Sequence, residues 1–99
     1  MRLVITPQAE RDIEEIGDYI ALDNPPRALS FVCKLRAQCG KIAALPETFR
    51  LRQELGEDIR SCAYGRYVIF FIVGVREVTI IRVLHGARDL PALFFSEQD

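Results

Sequence analysis

The spacing of apolar residues changes along this chain, and the changes divide it into elements. RLVIT at the start is a short strand candidate. From Pro7 the apolar positions turn helical: Ala9, Ile13, Ile16 and Ile20 recur at helical spacing, with acids mostly on the other side. Thr6-Pro7 supplies an N-cap followed by proline at the first helical position, where its missing N–H costs nothing. DNPP stops this helix, because a residue before proline resists the helical region, and Asn24 is placed to cap the next one. A second helix is expected from about Pro26 to Leu45, burying Ala28, Val32, Leu35, Cys39 and Ile42 and leaving Arg27, Lys34, Arg36 and Lys41 for solvent. Pro46 closes it. The tight connection predicts two helices packed antiparallel as a hairpin.

Residues 46–58 carry proline, glycine and mixed charge and read as a loop. Three strand candidates come next: Ile59–Ala63, Arg66–Val73 and Val78–His85, with turns at Tyr64-Gly65 and around Gly74. Tyr67–Val73 is apolar on both faces, which marks a central strand. The expectation is one α+β domain over residues 1–99, in the order β-α-α-β-β-β. The hairpin packs on one face of an antiparallel-dominated sheet, and a short tail or helix, ARDLPALFF, ends the chain's ordered pattern.

Composition narrows the class. A chain of 99 residues builds one core with little room for a large cavity, and 49% apolar content excludes disorder. No window approaches the 18 or more apolar residues of a membrane span, so no membrane partner is expected. Cys33, Cys39 and Cys62 are odd in number and lack the C-x-x-C spacing of a zinc site. They read as small apolar fillers in a reducing compartment, and a cytoplasmic location is expected. The net charge of −1 hides segregation: acids crowd Gln8–Asp23, whereas Arg60, Arg66, Arg76, Arg82 and Arg88 crowd the strand half.

Strand alternation sorts these arginines. Helices cover one sheet face, so Arg60, Arg66 and Arg82 are expected on the open face, where together they would make a basic patch. The plain alternative is that each is a separate solvated or ion-paired residue. Regular alternation also puts Arg82 and His85 on opposite faces unless a bulge intervenes. His85, before Gly86, reads as a corner where the chain turns, with proton transfer as the alternative role. There is no G-x-S-x-G, H-E-x-x-H, Walker or G-x-G-x-x-G motif, and neither cofactor nor metal is expected.

The pieces ITPQAERDIEEIGDYIA, ALPETFR, IRSCAYGRYVIFFIV and IIRVLHGARD, in this order and over nearly the whole length, resemble the ParE branch of the RelE/ParE toxin superfamily. The resemblance implies a bacterial type II toxin–antitoxin system. In it a cognate, ParD-like or similar antitoxin neutralises the toxin by laying a segment, disordered when free, into a groove between the helix hairpin and the sheet. ParE members inhibit DNA gyrase by binding, whereas RelE members cut mRNA in the ribosome, and the two branches share a fold.

The ParE branch is the better match. Lysine occurs only at Lys34 and Lys41, on the second helix, and the last tyrosine is Tyr67, while RelE-like nucleases resemble one another in a basic set with a tyrosine or histidine near the C-terminus. The expectation is therefore a gyrase inhibitor without catalysis of its own, with Arg60, Arg66, Arg82 and Arg88 as target-binding residues. Candidate antitoxin contacts are Ile13, Ile20, Leu29, Phe31, Leu90, Leu93 and Phe94, the hairpin residues fitting a plain core equally well. The alternative is a RelE-like, ribosome-dependent mRNA endonuclease using Arg60, Arg66, Arg82 and His85. Direct nucleic-acid binding is expected only in that case. A third possibility keeps the fold and the antitoxin but not the toxicity.

Overall fold

A computed structural model describes residues 1–86. Strand β1 (Arg2–Ile5) is followed by helices α1 (Pro7–Ala21) and α2 (Pro25–Ala44). A 3-10 turn (Pro46–Thr48) leads to strands β2 (Arg50–Leu51), β3 (Ile59–Tyr64), β4 (Tyr67–Val73) and β5 (Glu77–His85). The sheet order is β1-β5-β4-β3-β2, with β1 parallel to β5 and every other pairing antiparallel. The α+β expectation and the central place of β4 hold. Phe70 and Phe71 at its midpoint are fully buried on opposite faces.

Local chemistry sets the helix ends. Thr6 Oγ1 accepts from the Ala9 N–H at 3.1 Å, and Pro7 opens α1. Asn24 Oδ1 accepts from the Arg27 N–H at 3.2 Å, and Pro25 opens α2. At their crossing a side chain on Gly17 would place its Cβ 3.1 Å from Val32 Cγ2, so the absent side chain is what lets the helices approach this closely. Arg36 closes the same pair from outside, donating to both oxygens of Glu10 at 2.8 and 3.1 Å. That contact holds the Glu10 carboxyl below its ordinary value.

Two apolar clusters flank the sheet. The larger joins Ala9, Ile13, Ile16, Leu35, Cys39 and Ile42 of the hairpin to Cys62, Ile69, Phe71, Val78, Ile80 and Val83. The smaller lies on the opposite face and joins Ile59, Phe70 and Leu84 to Leu55, with Val68, Ile72 and Ile81 packed against it. Leu55 comes from the segment between β2 and β3 and is completely buried. The stretch expected to be plain loop is thus a 3-10 turn, an edge strand of two residues and an apolar plug. Elements this short carry no periodicity to read.

A bulge decides the facing of β5. Phe71 pairs with Ile80 but Phe70 pairs with Arg82, leaving Ile81 as the extra residue. Before it, Val78 and Ile80 face the helices; after it, Val83 does, and Leu84 joins the opposite cluster. Uninterrupted alternation would have kept Leu84 on the face of Val78.

Candidate functional site

The three arginines expected to converge go to three places. Arg60 pairs with Phe71, a residue of the helix-covered face, and its Nη1 donates to the Phe49 carbonyl at 2.8 Å. Arg66 is exposed in the two-residue β3–β4 turn, where Gly65 takes the positive φ of 59° that such a turn needs at its first central position. It stands beyond the far end of β3, roughly 20 Å along the strand from Arg60. Arg82 is buried. Its Nε donates to Asp12 Oδ2 at 2.8 Å and its Nη2 to Oδ1 at 3.1 Å.

The cause lies at the sheet edge. The β1 ladder ends at Ile5, paired with Ile80, and past that point the outer edge of β5 meets α1 instead of a strand. Thr6 donates from its N–H to the Ile80 carbonyl at 3.1 Å and from Oγ1 to the Ile81 carbonyl at 3.3 Å. Asp12 then accepts from the Val83 N–H at 3.0 Å as well as from Arg82. The bulge sets Arg82 opposite Phe70, and the carboxylate of α1 captures its guanidinium at this edge. The predicted basic patch on the open face is therefore corrected: that face is a second core, Arg82 pairs with Phe70 on it but is tied to Asp12, and a guanidinium the prediction left out, that of Arg52, also reaches Phe70.

Sequence reasoning misses Arg52. Its guanidinium sits 6.0 Å from the centroid of Phe70, and its side chain bonds Glu54 Oε2 at 2.7 Å and Ser61 Oγ at 3.3 Å. Its own N–H donates to the Ile59 carbonyl at 2.6 Å, which holds the Leu55 plug against β3. The available signal was Leu55, the one large apolar residue in the charged run Arg52–Asp58.

An open groove of ≈ 1110 Å³ runs along the C-terminal half of α1, past the helix turn and the start of α2, to the β3–β4 turn and the end of β5. Ile16, Ile20, Phe31, Tyr67 and Val83 give it an apolar floor, and Tyr19 and Leu22 stand exposed along it. Phe31 stacks obliquely on Tyr64 and Tyr67, with ring centroids 5.7 and 5.6 Å apart. His85 pairs with Tyr67 across the strands and meets it edge to face at 5.4 Å, at the groove's end. The groove has the features of a docking surface: apolar, open, and rimmed by charge.

Comparison with known proteins bears on what docks there. The family described as ParE toxin of type II toxin–antitoxin system, parDE, matches residues 3–90. The chain belongs to the ParE toxin family. It is 34% identical over 89 residues to Toxin ParE1 of Caulobacter vibrioides, covering 89% of this chain and 92% of that one. Its fold is similar to a chromosomal ParDE toxin–antitoxin system of P. aeruginosa, with a TM-score of 0.76 at 22% identity, over 86% of this chain and 95% of that. The RelBE2 toxin–antitoxin complex of Mycobacterium tuberculosis is also similar, with a TM-score of 0.60 at 26% identity, over 85% and 95% of the chains. The second likeness shows how far the fold is shared between branches.

The residues expected to touch the antitoxin of this ParE toxin also separate. Ile13 is 1% exposed and belongs to the core, so it presents no surface; the core reading of it is the right one. Ile20 and Phe31 are half-buried and line the groove, and Leu29 is 73% exposed on α2. Arg88, Leu90, Leu93 and Phe94 lie outside the described residues. Among the described residues no cluster of His, Cys, Asp or Glu is arranged to hold a metal ion. No described helix is long and apolar enough to cross a membrane.

Proposed function

We propose that this toxin acts on DNA gyrase by binding and is neutralised by a cognate antitoxin whose segment lies in the groove between α1, α2 and the end of β5. The observation that carries this reading is the family match over residues 3–90. The groove supports the antitoxin half of it, since an apolar floor lined by Ile20, Phe31 and Tyr67 suits an amphipathic segment of a partner.

Geometry favours binding over mRNA cleavage. A ribonuclease of this fold would gather cations around a proton-transfer group, to steady charge on the scissile phosphate. Here Arg82 is engaged by Asp12 and Arg60 points to the Phe49 carbonyl, so of the three Arg66, in the β3–β4 turn beside His85, is the one left exposed near the imidazole. His85 and Tyr67 meet edge to face.

Two assays on the purified toxin separate the readings. Added to gyrase and relaxed plasmid it should block supercoiling, and added to a translation extract it should leave mRNA intact by primer extension. Supercoiling that proceeds while message is cut in the ribosome would replace gyrase by the ribosome as the target.

A further inference from the structure

The groove is rimmed by charges of both signs. α1 contributes Glu15 and the turn after it Asp23; the start of α2 contributes Arg27 and the β3–β4 turn Arg66. All four are exposed, and none enters an ion pair among the described residues. The same two helices do satisfy charge elsewhere, for Glu10 and Arg36 close on each other at 2.8 Å outside the groove. Unpaired charges bordering an apolar floor add little to the stability of the free protein, yet they discriminate among partners.

We propose that these charges select the antitoxin and fix its direction, taking an amphipathic segment that carries bases against Glu15 and Asp23 and acids against Arg27 and Arg66. This rests on the groove being the antitoxin's seat. An apolar stripe alone binds nearly as well in either direction, whereas reversed charges would set like against like. Rim charges act chiefly through encounter rate and the rejection of wrong partners, and their effect shrinks with salt. The toxin therefore discriminates against non-cognate antitoxins whose apolar spacing matches but whose charge order does not.

The probe is the antitoxin encoded beside this gene, with its C-terminal segment labelled for fluorescence anisotropy against full-length toxin. Glu15→Lys and Arg66→Glu, both at exposed positions, should each weaken binding about tenfold, and reversing the facing charge in the antitoxin should restore it. Raising the salt should shrink the difference between these variants and the parent. A separate variant, Tyr19→Ala with Leu22→Ala, removes exposed apolar groove contacts and tests the seat itself. Weakened binding by that variant, with both charge reversals binding like the parent at low salt, would overturn the charge selection while leaving the groove as the seat. Unchanged binding by all of them would move the antitoxin to another surface.

Discussion

Asp12 and Arg82 meet across 70 positions of sequence in a two-point contact, Nε to Oδ2 at 2.8 Å and Nη2 to Oδ1 at 3.1 Å. Both are buried, and Asp12 also takes the Val83 N–H at the edge β1 leaves unpaired. Removing one partner deprives the other buried charge of this two-point contact, a far larger loss than the net worth of the pair. Asp12→Ala should therefore cost about 3–5 kcal/mol in urea unfolding. Asp12→Ala combined with Arg82→Met should cost clearly less than the single change, the Val83 N–H remaining as the deficit. A loss below about 1 kcal/mol for Asp12→Ala would mean that water reaches the pair.

Leu55 gives a second test, of the core on the face away from the helices. Fully buried against Ile59, Phe70 and Leu84, it anchors the charged run Arg52–Asp58. Leu55→Ala should destabilise the fold by about 2–5 kcal/mol, as for any large core residue, rather than the few tenths expected in an exposed loop. Thermal unfolding of the variant decides it.

The contrast between these two residues and the helices shows what was legible in the chain. Thr6-Pro7, the Ala9–Ile20 stripe and the DNPP stop gave α1 and α2 to within a residue or so, because caps and periodicity are local. Phe70 and Phe71 marked the central strand for the same reason. The bulge at Ile81 left no such mark, and one extra residue is enough to reassign every side chain after it. Asp12 looked like one acid among many on α1, although it falls on the buried face beside Ile13 and Ile16. A carboxylate on an apolar stripe and an arginine in an apolar strand were the two halves of a signal, but pairing them requires tertiary structure. The groove was legible only through the family resemblance, since its rims come from α1, α2 and a hairpin turn far apart in sequence.

The cysteines should differ in reactivity. Cys33 is exposed on α2, whereas Cys39 and Cys62 are buried. Burial pushes the Cys39 thiol from 9.0 up to about 11, so at pH 8 it holds its proton even more firmly than an ordinary thiol. Native toxin at pH 8 should react with a disulfide reagent at Cys33 promptly and at the buried pair only on unfolding. Stability should respond only at high pH: below pH 9 the raised value contributes nothing, and from 9 to about 11 the unfolded chain ionises first and stability falls. Three thiols reacting at one rate in the folded protein would contradict this packing.

His85 carries the last prediction, because the two readings of this fold part at its imidazole. Its ring meets Tyr67 edge on, 5.4 Å between centroids at 80°, just before Gly86, whose N–H donates to the Arg66 carbonyl at 2.8 Å. That places it where the β3–β4 turn and the end of β5 are tied together, a position at which a planar polar side chain is useful without any proton transfer. Glutamine keeps the planar polar end and loses the edge-to-face contact, worth about 0.5–1.5 kcal/mol. His85→Gln should accordingly lower the unfolding midpoint by no more than a few degrees and still arrest growth when expressed without antitoxin. A variant that folds, binds antitoxin with unchanged affinity and has lost all toxicity would make the imidazole itself the working group. Proton transfer, and with it cleavage of message in the ribosome, would then be the reading to pursue.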